Sequence, residues 1–260
     1  MAYRLVGDQP LLGRLYRPAG AAADLIVVEV HGGAWQMNDR LTNAVIHKHL
    51  AQDGVSVFAL DFRLAPQHPY PAAINDVNYA IRWVKANLKP KQVGLLGTSS
   101  GGHQAVLSAL RPHDARFFTP DAALAGHDAR VDFVVACWPV LDPLARYRMA
   151  KAKGLKNLVA AHHGFFSDES AMIEGNPHLV IERGEATSLP PMLVLQGTAD
   201  ENVEPERADA FAERYRRAGG EIELQKFTGQ PHTFIVKDPD SPASKEALAT
   251  ISTYLKRRTR

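Results

Sequence analysis

Val93-Gly94-Leu95-Leu96-Gly97-Thr98-Ser99-Ser100-Gly101 opens on a short apolar run and closes on a serine between glycines, and Ala105, Val106, Leu107 and Leu110 follow at helical spacing. The segment reads as a strand, a sharp turn and a helix. In this G-x-S-x-G arrangement the flanking glycines give the turn the room it needs, and the strained central residue, Ser99, is lifted above the strand end with its hydroxyl exposed. The five-residue pattern alone is common in ordinary turns. It gains mechanical meaning from the strand before it and the helix after it. The Ser100 amide falls at the helix start, where a developing anion is stabilised.

Outward from this turn, residues 11–16, 25–30, 55–60, 131–137, 192–195 and 222–226 read as further strands beside 93–96. Several are unbroken apolar runs, as strands covered on both faces of a parallel sheet should be. Ile74, Val77, Ile81, Val84 and Leu88 form one apolar stripe on a helix that ends before Pro90, and Leu248, Ile251 and Leu255 form another near the carboxyl end. The alternation predicts a single α/β domain over 1–260, with a mostly parallel central sheet flanked by helices and joined by right-handed crossovers. One stretch breaks it. From 139 to 190 there is no clean strand, and Tyr147, His162, His163, Phe165 and Phe166 appear among helix-like pieces. So long an excursion after a strand's carboxyl end is expected to be a lid over a site, with a peripheral helical insertion as the alternative.

A serine hydroxyl is a poor nucleophile at neutral pH, so Ser99 needs a base and a group to hold that base. In this kind of sheet the order is nucleophile, acid, histidine. Among eleven histidines, His232 in Gly229-Gln230-Pro231-His232-Thr233-Phe234 follows the last strand on a turn-rich loop, where catalytic groups are carried. Asp200 in Gly197-Thr198-Ala199-Asp200-Glu201-Asn202 follows the strand before it, with Glu201 and Asp142 as the competing acids. Acyl transfer also builds negative charge on a carbonyl oxygen, which preorganised amides stabilise. His31-Gly32-Gly33-Ala34-Trp35, at the end of strand 25–30, suits that role. Gly33 and Ala34 with Ser100 are the expected donors, and His31 braces the loop. Trp35, Trp138, Phe165 and Phe166 are the expected aromatic walls of the substrate pocket.

Thirty basic and twenty-eight acidic residues nearly balance, so no acidic or nucleic-acid partner is expected, and the cluster Lys256, Arg257, Arg258 and Arg260 reads as solvated. The lone Cys137 sits in the apolar stretch 133–141, which suits an unreactive buried thiol and a cytoplasmic protein without an intrachain disulfide. The longest apolar run is broken by Pro139, and the first twenty residues lack the core of a signal peptide, so no membrane association is expected. His47 and His49, two apart on a helix, face different sides, and His162-His163 lacks partners at ligand spacing, so no metal is expected. Gly32-Gly33 lacks the third glycine and distal acid of a dinucleotide site, so no cofactor is implied. The expected partner is a small molecule, with a homo-oligomer left open.

With these elements in order, the chain from about residue 25 to 234 resembles the α/β-hydrolase superfamily, in particular its hormone-sensitive-lipase-like esterases and its arylformamidase-like branch. Asp61-Phe62-Arg63-Leu64-Ala65-Pro66, followed by Pro69 and Pro71, is similar to their D-Y-R-L-A-P-E-x-P-x-P-A segment, which is structural. Gly97 to His103 is similar to their G-x-S-x-G-G-H/N elbow, which implies that His103 packs on the elbow helix. Two departures narrow the resemblance. About thirty residues precede Gly32 and the expected strands take them up, so no long helical amino-terminal cap is expected here, and Ala34 stands where the lipase-like members have a third glycine, so the chain is more similar to the shorter members. The resemblance implies hydrolysis of small carboxylic esters through an acyl-serine, or of amides of the arylformamidase type with the same triad. A non-catalytic receptor on this fold, like the gibberellin receptors, lacks the histidine that stands here as His232.

Overall fold

The computed structural model describes residues 1–19 and 24–258. It opens with a hairpin, β1 (Ala2–Val6) and β2 (Gln9–Tyr16), that turns through Gly7 at φ 57°. β1 adds a strand that the sequence reading did not assign. It is a short edge strand with Leu5 left 69% exposed, so its alternation carries little apolar signal.

The chain then runs through β3 (Leu25–Val30), α1 (Ala44–Gln52), β4 (Ser56–Leu60), α2 (Ala72–Leu88), β5 (Gln92–Thr98) and α3 (Ser100–Leu110) to β6 (Phe133–Cys137). Four helices follow: α4 (Pro143–Ala152), α5 (Lys156–Phe165), α6 (Glu169–Glu174) and α7 (Pro177–Glu182). The chain closes with β7 (Met192–Gly197), α8 (Pro205–Arg217), β8 (Ile222–Phe227), α9 (Phe234–Lys237) and α10 (Pro242–Arg258). The strands form one sheet in the order β1-β2-β4-β3-β5-β6-β7-β8. β2 is antiparallel to both neighbours, and every pair from β4 to β8 is parallel.

Strands β3 to β7 are buried at nearly every position because helices cover both faces. Ile74, Val77 and Ile81 of α2, Val106 and Leu107 of α3, and Phe211 and Tyr215 of α8 share one core. Ile46 and Leu50 of α1 pack with Leu248, Ile251 and Leu255 of α10 in the other. Each such side chain contributes about 1.5–3 kcal/mol on leaving water, which favours this layering over any arrangement exposing a sheet face. α2 stops at Lys89, whose φ of 50° reverses the chain before Pro90. The functional consequence lies in the direction of the strands. Because they are parallel, β3, β5, β6, β7 and β8 all release their loops at one edge.

At that edge, part of the 139–190 segment packs into the core. Phe165, Phe166, Met172 and Val180 are fully buried with α2 and α3. Arg63 and Arg4 both reach the buried Asp76, at 2.9 and 2.5 Å, tying the Asp61–Pro66 turn and β1 to α2. Cys137 is fully buried at the end of β6, and burial pushes its thiol pKa up. The basic tail lies along acidic neighbours: Arg257 meets Glu223 at 2.8 Å, Arg258 meets Glu221, and Lys256 meets Asp53 at 3.4 Å. Arg260 lies outside the described residues. Among the described residues no helix is long and apolar enough to cross a membrane.

Candidate active site

β5 delivers the chain into the elbow. Ser99 has φ 53° and ψ −119°, a strained conformation held from both sides. Its N–H donates to Cys137 O at 2.9 Å, and its carbonyl accepts from His103 N and Val140 N at 3.1 and 3.2 Å. Gly101 is required by close approach, since a Cβ there would lie 2.1 Å from Val30 O.

The loop after β8 brings His232 Nε2 to 2.9 Å from Ser99 Oγ, and the loop after β7 brings Asp200 Oδ2 to 2.7 Å from His232 Nδ1. Asp200 is buried and anchored by three more donors. Its Oδ1 accepts from the amides of Asn202 and Val203 at 2.9 and 2.8 Å, and Oδ2 accepts from Gln196 Nε2 at 3.0 Å. Burial alone would raise the carboxyl's pKa, but the hydrogen bond and charge of His232 and the two amides outweigh it, so the pKa is lowered. An ionised carboxylate only accepts. His232 Nδ1 must therefore carry the proton, leaving the Nε2 lone pair to face the Ser99 hydroxyl. The competing acids are elsewhere: Asp142 Oδ1 caps α4 through Ala145 N and accepts from Asn176 Nδ2, and Glu201 is exposed.

Beside the elbow, Gly33, Ala34 and Trp35 all take positive φ, at 124°, 51° and 63°. Gly33 O accepts from Gln36 N and Met37 N, and Trp35 N donates to Ser100 Oγ at 3.1 Å, locking this turn onto the helix start. Gly32 N is spent on Thr98 Oγ1 at 2.9 Å. Among the hydrogen bonds of the described residues, the amides of Gly33, Ala34 and Ser100 have no acceptor. His31 Nδ1 is 2.7 Å from Gly32 O and its ring stacks on Phe62 at 4.2 Å, so it braces the loop from behind. A cavity of about 340 Å³ opens over Ser99 and His232, with Gly33 and Ala34 on its wall.

The model of the BD-FAE family matches residues 14–215. This chain belongs to the BD-FAE family. It is 28% identical over 223 residues to the esterase LipC of Mycobacterium tuberculosis, covering 82% of this chain and 54% of LipC. It is 27% identical over 264 residues to the carboxylesterase NlhH of the same species, covering 94% of this chain and 77% of NlhH. The chain spans about half the length of the curated relatives LipC and LipM, 54% and 45%. Among solved structures, the propionate-bound esterase Est2 of Thermogutta terrifontis superposes with TM-score 0.79 at 26% identity, over 99% of this chain and 93% of that one. The esterase of Pyrobaculum calidifontis, at TM-score 0.78 and 24% identity over 96% and 82%, shares the fold. The fold is that of the α/β-hydrolases.

In this BD-FAE chain the four aromatic residues expected as pocket walls separate. Trp138 lines the cavity. Trp35, Phe165 and Phe166 do not: all three are buried in the core, with Trp35 stacked on Phe165 at 5.0 Å and edge-on to Phe166 at 5.7 Å. The Trp35 indole lies in the joint between α3 and the insertion, against His103, Phe165 and Phe166. The pocket's apolar wall is instead Met37, Leu158 and Val236 beside Trp138. Arg146 of α4, which no sequence signal singles out, lines the cavity, and its Nε and Nη2 donate to Asn202 O and Oδ1 at 3.0 and 2.5 Å, two residues after Asp200. Its burial lowers the guanidinium pKa to about 10, against the pull of Asp200. No spacing in the sequence announces it, because the contact depends on how α4 packs across the loop after β7. His47, set aside as a metal ligand, lies fully buried beside Glu29.

Proposed function

We propose that this chain is a serine carboxylesterase that cleaves small carboxylic esters through an acyl-Ser99 intermediate. One observation carries the reading: Asp200, His232 and Ser99 are linked at 2.7 and 2.9 Å, this relay ends in a cavity with Gly33 and Ala34 on its wall, and the amides of those two residues and of Ser100 have no acceptor among the described residues. The names of LipC and NlhH, and of a Thermogutta terrifontis esterase 2 phosphorylated by paraoxon, support the same class. In this reading Ser99 Oγ attacks the ester carbonyl carbon while its proton passes to His232 Nε2. The carbonyl electrons move onto oxygen, which the amides of Gly33, Ala34 and Ser100 receive. Collapse of the tetrahedral adduct breaks the carbon–alkoxy bond, and His232 returns the proton to the departing alcohol. Water then repeats the sequence, releasing the acid and restoring Ser99. Asp200 stays ionised throughout and holds the imidazole in its working tautomer. Arg146 and Leu158 line the cavity, which supports residues 139–190 as its roof. The lone, buried Cys137 agrees with action in the cytoplasm.

The test pairs p-nitrophenyl butyrate hydrolysis with labelling by a fluorophosphonate and peptide mapping. Hydrolysis and a single label on Ser99, both lost in Ser99→Ala, are expected. A label that persists in Ser99→Ala refutes the assignment.

A further inference from the structure

Asn43 stands at the N-cap position of α1, yet its side chain makes no capping hydrogen bond. An asparagine there ordinarily accepts from the helix's own orphan amides, and leaving that undone weakens the helix. The side chain is used elsewhere. Its Nδ2 donates to Glu29 Oε1 at 2.7 Å and to Thr98 Oγ1 at 3.0 Å, and Thr98 Oγ1 also accepts from Gly32 N at 2.9 Å. Glu29 is a fully buried residue of a central parallel strand, where a valine would serve the core better. Its second oxygen lies 2.9 Å from Nε2 of His47, also fully buried on α1. Burial alone would raise the Glu29 pKa, but the charge of the adjacent His47 and the hydrogen bond from Asn43 outweigh it, so the pKa is lowered. A carboxylate kept ionised in the interior is costly, and the acyl-transfer steps do not touch it. A local rule broken twice in one network marks a site held for function.

What the network reaches decides its role. Thr98 is the last residue of β5 and is joined to Ser99, while Gly32 precedes Gly33. One buried carboxylate thus ties together, through one amide and one hydroxyl, the loop bearing Gly33 and Ala34 and the turn bearing Ser99 and Ser100. Asn43 and Thr98 also border the Ser99 cavity. We propose that Glu29, Asn43 and Thr98 are positioning residues that keep the oxyanion-binding amides in register with Ser99, with His47 completing the partners of the carboxylate. The proposal rests on the acyl-serine reading above.

The test uses Thr98→Val, which keeps the β-branched shape and removes the acceptor, Thr98→Ser, which keeps the hydroxyl, and Asn43→Ala. Loss of a direct oxyanion donor costs about 100- to 1,000-fold in kcat, so a loosened loop should cost about tenfold or more, with KM held within about twofold. Affinity for an alkyl trifluoromethyl ketone, whose Ser99 adduct carries the oxyanion, should fall by the same factor in Thr98→Val and Asn43→Ala. Thr98→Ser should restore both readouts. Thermal midpoints are recorded for every variant. Thr98→Val at unchanged kcat and inhibitor affinity, whatever its thermal midpoint, overturns the proposal. A wild-type chain that neither hydrolyses the ester nor labels at Ser99 overturns the acyl-serine reading itself, and this proposal with it.

Discussion

The indole N–H of Trp35 donates to His103 Nδ1 across 3.2 Å, while the opposite nitrogen of the same imidazole, Nε2, lies 2.7 Å from the carbonyl of Gly175. One ring therefore joins three segments: the loop after β3, the elbow helix α3 and the 139–190 insertion. Its partners fix its state. Nδ1 accepts and Nε2 donates, so the ring is neutral, and a second proton would set N–H against N–H. Burial pushes the His103 pKa down to about 4, only partly opposed by the Gly175 carbonyl. His162, packed edge-on to Trp35 at 5.2 Å, is pushed down to about 3 by burial, with the charge of Arg146 adding to it.

These two rings predict acid lability. A histidine of the unfolded chain takes its proton near pH 6.5, whereas the folded rings wait until about 4 and about 3. Between those values the unfolded state binds more protons, so stability falls as pH falls through that window. At about 1.4 kcal/mol per pH unit, each ring removes on the order of 3 kcal/mol by pH 4. Urea unfolding midpoints should be level above about pH 7.5 and drop steadily from about pH 6.5 to 4.5. His103→Gln can accept from Trp35 and donate to Gly175 without titrating, so its slope should be shallower. Equal midpoints at both ends of this range would count against the assignment.

Asp200→Asn should cut kcat by a factor on the order of ten thousand. The geometry leaves an asparagine no good orientation. With its carbonyl toward the amides of Asn202 and Val203, its NH₂ faces both Gln196 Nε2 and His232 Nδ1, and the imidazole proton is driven to Nε2, where a base is needed. Turned over, it sets the NH₂ against two backbone N–H groups. Steady-state kinetics with p-nitrophenyl butyrate measure the effect, and a loss under about tenfold would move the acid's role to another residue.

Gly101→Ala tests the elbow's packing. Inside a helix the change should gain about 1 kcal/mol of propensity. Here the new Cβ would lie 2.1 Å from Val30 O and 2.3 Å from His31 O, both backbone atoms that cannot swing aside. Overpacking of this kind costs about 1–3 kcal/mol or more, so the net effect should be destabilising. A thermal midpoint at or above that of the wild type would show that α3 can withdraw from β3.

The strands and the elbow were legible because each rests on local signals: apolar runs, glycine turns and the strand–helix context of Ser99. His232 and Asp200 were legible because chain order in this fold predicts which loops reach the elbow. Of the four expected pocket walls, only Trp138 lines the cavity. Trp35, Phe165 and Phe166 look in sequence like exposed aromatics near a site, and only their mutual packing in the folded chain shows that they turn into the core. Arg146 and Asn43 were invisible for a related reason. Each acts through a partner more than fifty residues away, Asn202 and Thr98, and no periodicity records such a contact.

Substrate length follows from the corrected walls. The insertion is fastened at both ends of its aromatic joint: Tyr70 N donates to Phe165 O at 2.7 Å, Tyr70 OH donates to Glu174, and His103 holds Gly175. A roof tied in this way should not swing open for a long chain, and activity should not jump when the substrate exceeds its solubility limit. The cavity of about 340 Å³ lies near the lower end of ligand pockets, about 300–1,000 Å³. Each methylene placed against Trp138, Leu158, Met37 and Val236 gains about 0.8 kcal/mol, or roughly fourfold in kcat/KM, until space runs out. Beyond that point the next methylene must displace core groups behind the wall or remain in water. A p-nitrophenyl ester series should therefore peak between acetate and hexanoate and be weak at laurate. A maximum at laurate, or a surge at the solubility limit, would mean that the joint between Trp35, His103 and Phe165 opens in solution and that the roof is a true lid.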